Sequence, residues 1–143
     1  MTGANTPMEK PPAHNADFIV GIPSNRTMRL RTCLLNVLTA LKEENITADI
    51  LIVDGSGQAE KNQEFATHAA EKYGTRVSVL DEKKHQTAQK PELRFLFDGP
   101  FGGPRNAILQ HAVTNRKHTV FLDDDVVPTD GLFSRFQTHF KSH

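Results

Sequence analysis

Three consecutive aspartates, Asp123, Asp124 and Asp125, are the residues of this sequence best suited to chemistry. They follow an apolar run at residues 118–122, whose length and β-branched and aromatic members predict a buried strand. In an open α/β sheet, ligands bind beyond the carboxyl ends of the strands, and hard divalent cations prefer carboxylate oxygens. The aspartates therefore indicate a cation site at a sheet edge. A solvated acidic turn is the alternative that these three residues alone leave open.

Two earlier apolar runs also end in polar loops. The first predicted strand, residues 18–23, leads into the loop Pro23-Ser24-Asn25-Arg26, and the second, residues 50–53, leads into Asp54 and a Gly-Ser-Gly turn. Parallel strands end at one edge of a sheet, so these loops are expected to lie near the three aspartates. Taken alone, Asp54 is equally typical of an Asx turn before Gly55.

The elements between these loops alternate between helices and strands. Apolar residues at three- and four-residue spacing predict a core-facing helix after the first strand, with Thr27 as its cap. A weaker helix at residues 59–73 and a strand at residues 76–80 follow. The alternation predicts an α/β fold with right-handed crossovers and a mainly parallel sheet.

The second half of the chain is less regular at first. Residues 81–101 predict a long loop, and the segment 98–104 is a glycine-rich turn with Pro104 placed in the first turn of a helix at residues 105–115. Such a loop can admit phosphate, but it lacks the spacing of a dinucleotide or P-loop motif, so an ordinary turn remains open. A last helix is predicted at residues 131–141, with Asp130 as its cap.

Composition limits the function classes. The 143 residues, 37% of them hydrophobic, predict one domain at residues 17–143 after a disordered leader at residues 1–16. Basic and acidic residues balance at 17 each, which gives no support for nucleic-acid binding. The single cysteine excludes an internal disulfide, and the seven histidines lack metal-site spacing. The single cysteine fits a reducing cytoplasm, and the sequence has no signal-peptide pattern and no transmembrane segment, so we expect a cytoplasmic protein.

The ordered set of PSNR, DGSG, PRN, a helix and VFLDDD resembles the nucleotide-sugar-binding half of family 2 glycosyltransferases. The resemblance covers residues 18–136. It implies a Rossmann-like GT-A fold that binds a nucleoside diphosphate sugar, with a UDP-sugar favoured, and transfers the sugar to an unknown acceptor. It also implies a divalent cofactor, Mn²⁺ or Mg²⁺, that stabilises charge on the departing diphosphate.

The resemblance assigns roles to particular residues. Asp123 and Asp125 match the metal-binding acids of the DxD motif, and Asp124 matches the intervening position near the ribose or metal. Asp54 matches an aspartate that accepts a hydrogen bond from uracil, and Arg105 matches the basic residue near the diphosphate. The loop that closes over the base corresponds to Pro23 and Ser24. By motif reasoning alone, a surface ion pair for Arg105 and a helix-orienting role for Asn106 remain open.

The chain also departs from the family pattern. Its PSNR loop is one residue shorter than the usual PTYNR, and one aspartate of the usual DDGS is missing. Residues 126–143 are too few to hold the acceptor half of such an enzyme, so no catalytic base can be named. The alternative is therefore a non-catalytic nucleotide-sugar-binding module or an inactive fragment. A dehalogenase-like phosphotransferase is disfavoured because its DxD would follow the first strand.

Overall fold

The computed structural model describes residue 16, residues 18–98 and residues 102–142. Within them, parallel strands form one four-stranded sheet. The strands are β1 (Phe18–Ser24), β2 (Asp49–Asp54), β3 (Val77–Asp81) and β4 (His118–Phe121), in the order β3-β2-β1-β4. The helices are α1 (Thr27–Glu43), α2 (Ala59–Glu71), α3 (Glu82–Ala88), α4 (Gly102–Thr114) and α5 (Leu132–Lys141), with a 3-10 helix at Pro91–Phe97. The predicted parallel α/β architecture is confirmed, and it is consistent with a Rossmann-like fold.

Side chains of β1 and β2 alternate between the two faces of the sheet. One face packs with α1, α2 and α5, and the other packs with α4 and the 3-10 helix. Each face is apolar because helices cover both, which explains why these strands read as continuous apolar runs. The first face takes Phe18, Val20, Ile22, Ile50 and Ile52, and the second takes Ile19, Leu51 and Val53.

A close approach between β1 and α4 fixes the position of that helix. A Cβ atom at Gly21 would lie 2.6 Å from the Cγ2 atom of Ile108. Glycine at this point therefore lets α4 pack directly on the sheet. The packing holds the first turn of α4, which carries Arg105, near the carboxyl end of β1.

The long loop predicted at residues 81–101 is wrong over its described part, residues 81–98, because this segment contains α3 and the 3-10 helix. The Asp81 side chain accepts a hydrogen bond from the backbone N–H of Lys84 at 3.0 Å, which caps α3. Ala88 is the one apolar residue of α3, and the 3-10 helix is only seven residues long, so neither gives a periodic signal over a window of helical length. The remaining boundaries differ from the predictions by at most three residues.

Two predicted helix caps are also wrong. Thr27 already lies inside α1, and its hydroxyl donates to the Ser56 hydroxyl at 3.2 Å instead of capping. The N-cap of α5 is Gly131, in the left-handed region at φ 81°, and not Asp130. A residue that is distant in sequence holds the first turn of α5, because the Ser134 N–H donates to the Glu44 carboxylate at 2.7 Å. Sequence-local rules cannot predict such a contact.

The predicted leader falls almost wholly outside the described residues. Ala16 alone is described, and it is buried. Its carbonyl accepts a hydrogen bond from the Lys117 ammonium. Part of the predicted glycine turn, residues 99–101, also lies outside the described residues.

Candidate functional site at the carboxyl edge of the sheet

A cleft of about 500 Å³ lies at the carboxyl ends of the strands. From β1 the chain builds the sheet in one direction through β2 and β3, and then returns to place β4 on the other side of β1. The switch point between β1 and β4 is where open α/β sheets bind ligands. The cleft is lined by Pro23, Ser24, Asn25, Arg26, Gly55, Glu82, Pro104, Arg105, Asp123, Asp124 and Asp125.

The middle aspartate is held tightly by the loop after β1. Arg26 donates from Nη2 to Asp124 Oδ1 at 2.6 Å and from Nε to Oδ2 at 3.3 Å, and the Ser24 hydroxyl donates to Oδ2 at 2.7 Å. The Asp124 side chain is 5% exposed, against 52% for Arg26. Burial alone would raise the pKa of Asp124, but the hydrogen bonds from Arg26 and Ser24 outweigh it and hold the pKa below its usual range. Asp124 therefore ties the loop after β4 to the loop after β1.

The flanking aspartates are in a different situation. Asp123, 61% exposed, accepts a hydrogen bond from Arg105 Nη2 at 2.9 Å. Asp125 is exposed, and no ion pair or side-chain hydrogen bond within the described part of the chain engages its carboxylate. Both carboxylates can accept further ligands from the cleft. The surface ion pair considered for Arg105 is present.

Cys33 supports the turn that carries the aspartates from below. Its thiol lies 3.7 Å from the Asp123 carbonyl and 4.0 Å from the Val126 carbonyl, both as acceptors. Burial raises the pKa of Cys33 to about 11, and the charges of the nearby aspartates add to this effect. The thiol is therefore protonated at neutral pH and acts as a small core residue.

Asp54 lies beneath the cleft and does not line it. Its side chain accepts the Ser56 N–H at 2.8 Å, which makes an Asx turn, and the Asn62 amide at 2.6 Å. The residue is 1% exposed, and the neighbouring Gly55 forms the cleft wall instead. The predicted contact of Asp54 with a uracil ring stays a prediction, and the geometry gives this carboxylate a loop-holding role.

The other predicted residues also support loops. Pro23 and Ser24 form the end of β1, and the Ser24 hydroxyl both donates to Asp124 and accepts the Arg26 N–H at 3.1 Å. The Asn106 amide donates to the Leu96 carbonyl at 2.6 Å, so this side chain ties α4 to the 3-10 helix.

Sequence reasoning missed two charged residues of the cleft. Arg26 follows β1 at the edge where the aspartates were expected, so the strand-end rule could have found it. Glu82 directly follows β3, and its carboxylate lies over Gly55. The same rule could have found Glu82, which comes two residues after the end of the strand predicted at residues 76–80.

The donor set at the cleft suits a cation that completes its shell from a ligand. No group of three or more histidine, cysteine or acidic side chains in the described ranges is arranged to hold a metal ion by itself. Asp123 and Asp125 are the two exposed carboxylates, whereas Asp124 is occupied by Arg26 and Ser24. Mg²⁺ is commonly bound through one or two carboxylates together with substrate phosphates and water. The residues present fit such a cation.

None of the described helices is long and apolar enough to cross a membrane.

Comparison with known proteins adds no identification. No protein-family profile, no curated protein and no solved structure matches the chain.

Proposed function

We propose that the cleft binds a nucleoside diphosphate sugar, with a divalent cation between the diphosphate and the carboxylates of Asp123 and Asp125, as the donor site of a GT-A glycosyltransferase. The observation that carries the proposal is that the three consecutive aspartates at the switch point of the sheet differ in exposure. Asp124 is buried and paired with Arg26, while Asp123 and Asp125 remain exposed to the cleft. Two carboxylates beside an arginine suit a cation and a polyanion together.

Each residue then has a stated task. Asp123 and Asp125 hold Mn²⁺ or Mg²⁺, and Arg105 lies against Asp123, from where its guanidinium supports the diphosphate. Arg26 and Ser24 do not act on the ligand but fix the turn that presents the two flanking carboxylates. When bound, the cation supplies charge stabilisation to the departing nucleoside diphosphate.

A second candidate is a module that binds the sugar nucleotide without transfer. It is favoured by the engagement of Asp54 and Asp124 in loop-holding hydrogen bonds, which removes two of the acids of this edge from proton transfer. Glu82 stands at the β3 end of the cleft. Neighbouring strands lie about 4.8 Å apart, so that end is separated from the β4 end by roughly 14 Å. Glu82 is therefore remote from the proposed cation, and this distance removes a third acid of the edge from proton transfer there.

The test is calorimetric titration with UDP, GDP, CDP and ADP and with UDP-sugars, in Mn²⁺, in Mg²⁺ and in EDTA. We expect binding that requires the cation and that falls by about 10- to 100-fold in Asp125→Asn. Asp130→Asn, an exposed aspartate outside the cleft, is the matched control and should bind as the native chain does.

Binding that is unchanged by EDTA and by Asp125→Asn would contradict the proposal. Turnover separates the two candidates. Release of UDP from a UDP-sugar in the presence of the cation indicates transfer or hydrolysis, and tight binding without release indicates the module.

A further inference from the structure

The helices on the second face of the sheet expose most of the large apolar side chains that reach the surface. We call α3, the 3-10 helix and α4 together the α3–α4 layer. Among the described residues, eight large apolar side chains are exposed, and five of them belong to this layer. The five are Leu93, Phe95, Leu96, Leu109 and Val113. Because single exposed apolar residues are ordinary but a concentration of them is not, this layer is a candidate interaction surface.

Contacts between the three helices make the layer one continuous surface. The His85 ring of α3 meets the Phe97 ring edge-on at 4.9 Å between centroids, and its Nε2 atom lies 2.9 Å from the Gln110 Oε1 atom of α4. Phe97 is buried against the sheet, whereas the rest of the 3-10 helix is exposed. The 3-10 helix is therefore anchored at its last residue and presents Phe95 and Leu96 to the outside.

The same layer carries a local excess of positive charge. Residues 83–96 contain four basic side chains and one acidic side chain, all exposed, although the whole chain balances at 17 of each sign. The basic residues are Lys83, Lys84, Lys90 and Arg94, and the acidic one is Glu92. Arg94 donates from Nε to the Gln89 carbonyl at 3.1 Å and from Nη2 to the Thr87 carbonyl at 3.0 Å. These bonds hold its charge against the end of α3, beside the exposed apolar residues.

A lipid bilayer with anionic headgroups matches this combination. Phenylalanine and leucine side chains enter the boundary between headgroups and acyl chains, and lysine and arginine are attracted to the negative surface. A partner helix would instead need an apolar groove, and none of the five exposed apolar residues lines the cleft, which is the larger of the described cavities. Protruding apolar side chains with flanking positive charges suit a flat anionic surface better.

We propose that the α3–α4 layer docks on an anionic lipid bilayer, with Phe95 and Leu96 at the acyl boundary and Lys83 and Lys84 against the headgroups. The inference goes beyond the proposed function and does not depend on it. Glu82 and Arg105, in the first turns of α3 and α4, line the cleft. Docking through this layer therefore brings the cleft close to the bilayer surface.

The test is co-sedimentation of the full chain with two kinds of vesicle. One kind is phosphatidylcholine alone, and the other is phosphatidylcholine and phosphatidylserine in equal parts. We expect binding to the anionic vesicles to be about tenfold tighter or more, because each lysine near a negative surface adds attraction. High salt should weaken that binding, since it screens the charges.

One double variant removes the apolar contacts. Phe95→Ala with Leu96→Ala should weaken binding to the anionic vesicles by about tenfold or more. Met28→Ala with Leu35→Ala is the matched control, because both residues lie on α1, which packs on the first face of the sheet. The exposures match closely, at 71% for Phe95 and 74% for Met28, and at 40% for Leu96 and 41% for Leu35. The control should bind as the native chain does.

A second double variant removes charge and leaves the apolar residues in place. Lys83→Gln with Lys84→Gln should also weaken binding to the anionic vesicles by about tenfold or more. The matched control is Lys61→Gln with Lys72→Gln, two exposed lysines in α2 and at its C-cap. It should retain native binding.

Two outcomes of the vesicle experiment overturn the inference: no binding of the native chain to the anionic vesicles, and native-like binding in both α3–α4 variants. Sedimentation velocity without lipid adds a third. If the native chain self-associates, Phe95→Ala with Leu96→Ala abolishes the association and no vesicle binding is seen, the layer is an interface between copies and the inference is wrong. None of these results involves a nucleotide, so the proposed function is tested separately.

Discussion

Two arginine–aspartate pairs lie at the same sheet edge and are built from neighbouring aspartates, yet they differ in character. The inner pair, Arg26 with Asp124, is bidentate, and a third group, the Ser24 hydroxyl, joins it on a carboxylate that is 5% exposed. The outer pair, Arg105 with Asp123, joins side chains that are 38% and 61% exposed. The hydrogen bonds of the inner pair hold two loops together, whereas the side chains of the outer pair are exposed enough to contact a ligand.

The difference shows that one short acidic run can hold two loops together and also present exposed carboxylates. A turn that carries three like charges must be fixed if its carboxylates are to point in defined directions, and Asp124 provides that anchor through β1. All three aspartates line the cleft, but Asp124 is buried by its partners, so Asp123 and Asp125 remain as the exposed carboxylates of the turn.

Removing the carboxylate of the inner pair is the substitution for which we expect the largest loss of stability. Asp124→Asn keeps the shape but turns an acceptor oxygen into a donor against Arg26 and Ser24. We expect the free energy of unfolding to fall by about 1.5 kcal/mol, a loss at the lower end for hydrogen bonds to charged groups because Arg26 is half exposed. The melting temperature should fall by about 5 °C, measured by circular dichroism.

The outer pair supplies the control for that substitution. Asp123→Asn should change stability by less than about 0.5 kcal/mol, since exposed ion pairs contribute little. Equal losses of stability in the two variants would remove the distinction between a structural and a binding aspartate.

The second prediction concerns acid. The pKa of Asp124 is lower in the folded protein than its ordinary value, so its contribution to stability is complete above the unfolded-state pKa and is lost as the pH falls through the folded-state pKa. The stability difference between the native chain and Asp124→Asn should therefore be constant from about pH 5 to 7 and shrink below about pH 4. Urea titrations at fixed pH values measure it, and a difference that grows in acid would contradict the assigned charge state.

The fold was largely predictable because its signals are local and periodic. Apolar runs at residues 18–23 and 50–53 indicated buried parallel strands, and the spacing of Leu30, Leu34 and Leu41 indicated the covering helix. The segment after β3 was not predictable in this way. It folds as two short helices that depend on a single cap at Asp81 and on contacts with α4, and neither produces a hydrophobic period.

The sequence predicted which edge of the sheet carries the candidate site, but not which side chains contact one another there. The rule for strand ends placed Ser24, Asp54 and Asp123 together, and the structure brings their loops to one edge. Which carboxylate is buried and which is exposed depends on side chains of other elements, such as Arg26 after β1 for Asp124 and Asn62 of α2 for Asp54. These hydrogen bonds arise only after folding, so no motif carries them.

The measurement that tests the central claim most directly is the electron paramagnetic resonance signal of free Mn²⁺ during titration with the protein and UDP. If Asp123 and Asp125 hold the cation together with a diphosphate, the native chain plus UDP should deplete free Mn²⁺, and the chain without UDP should deplete little. Asp125→Asn should lose most of that depletion, while Asp130→Asn should retain it. Depletion in Asp125→Asn equal to that of the native chain would contradict the account.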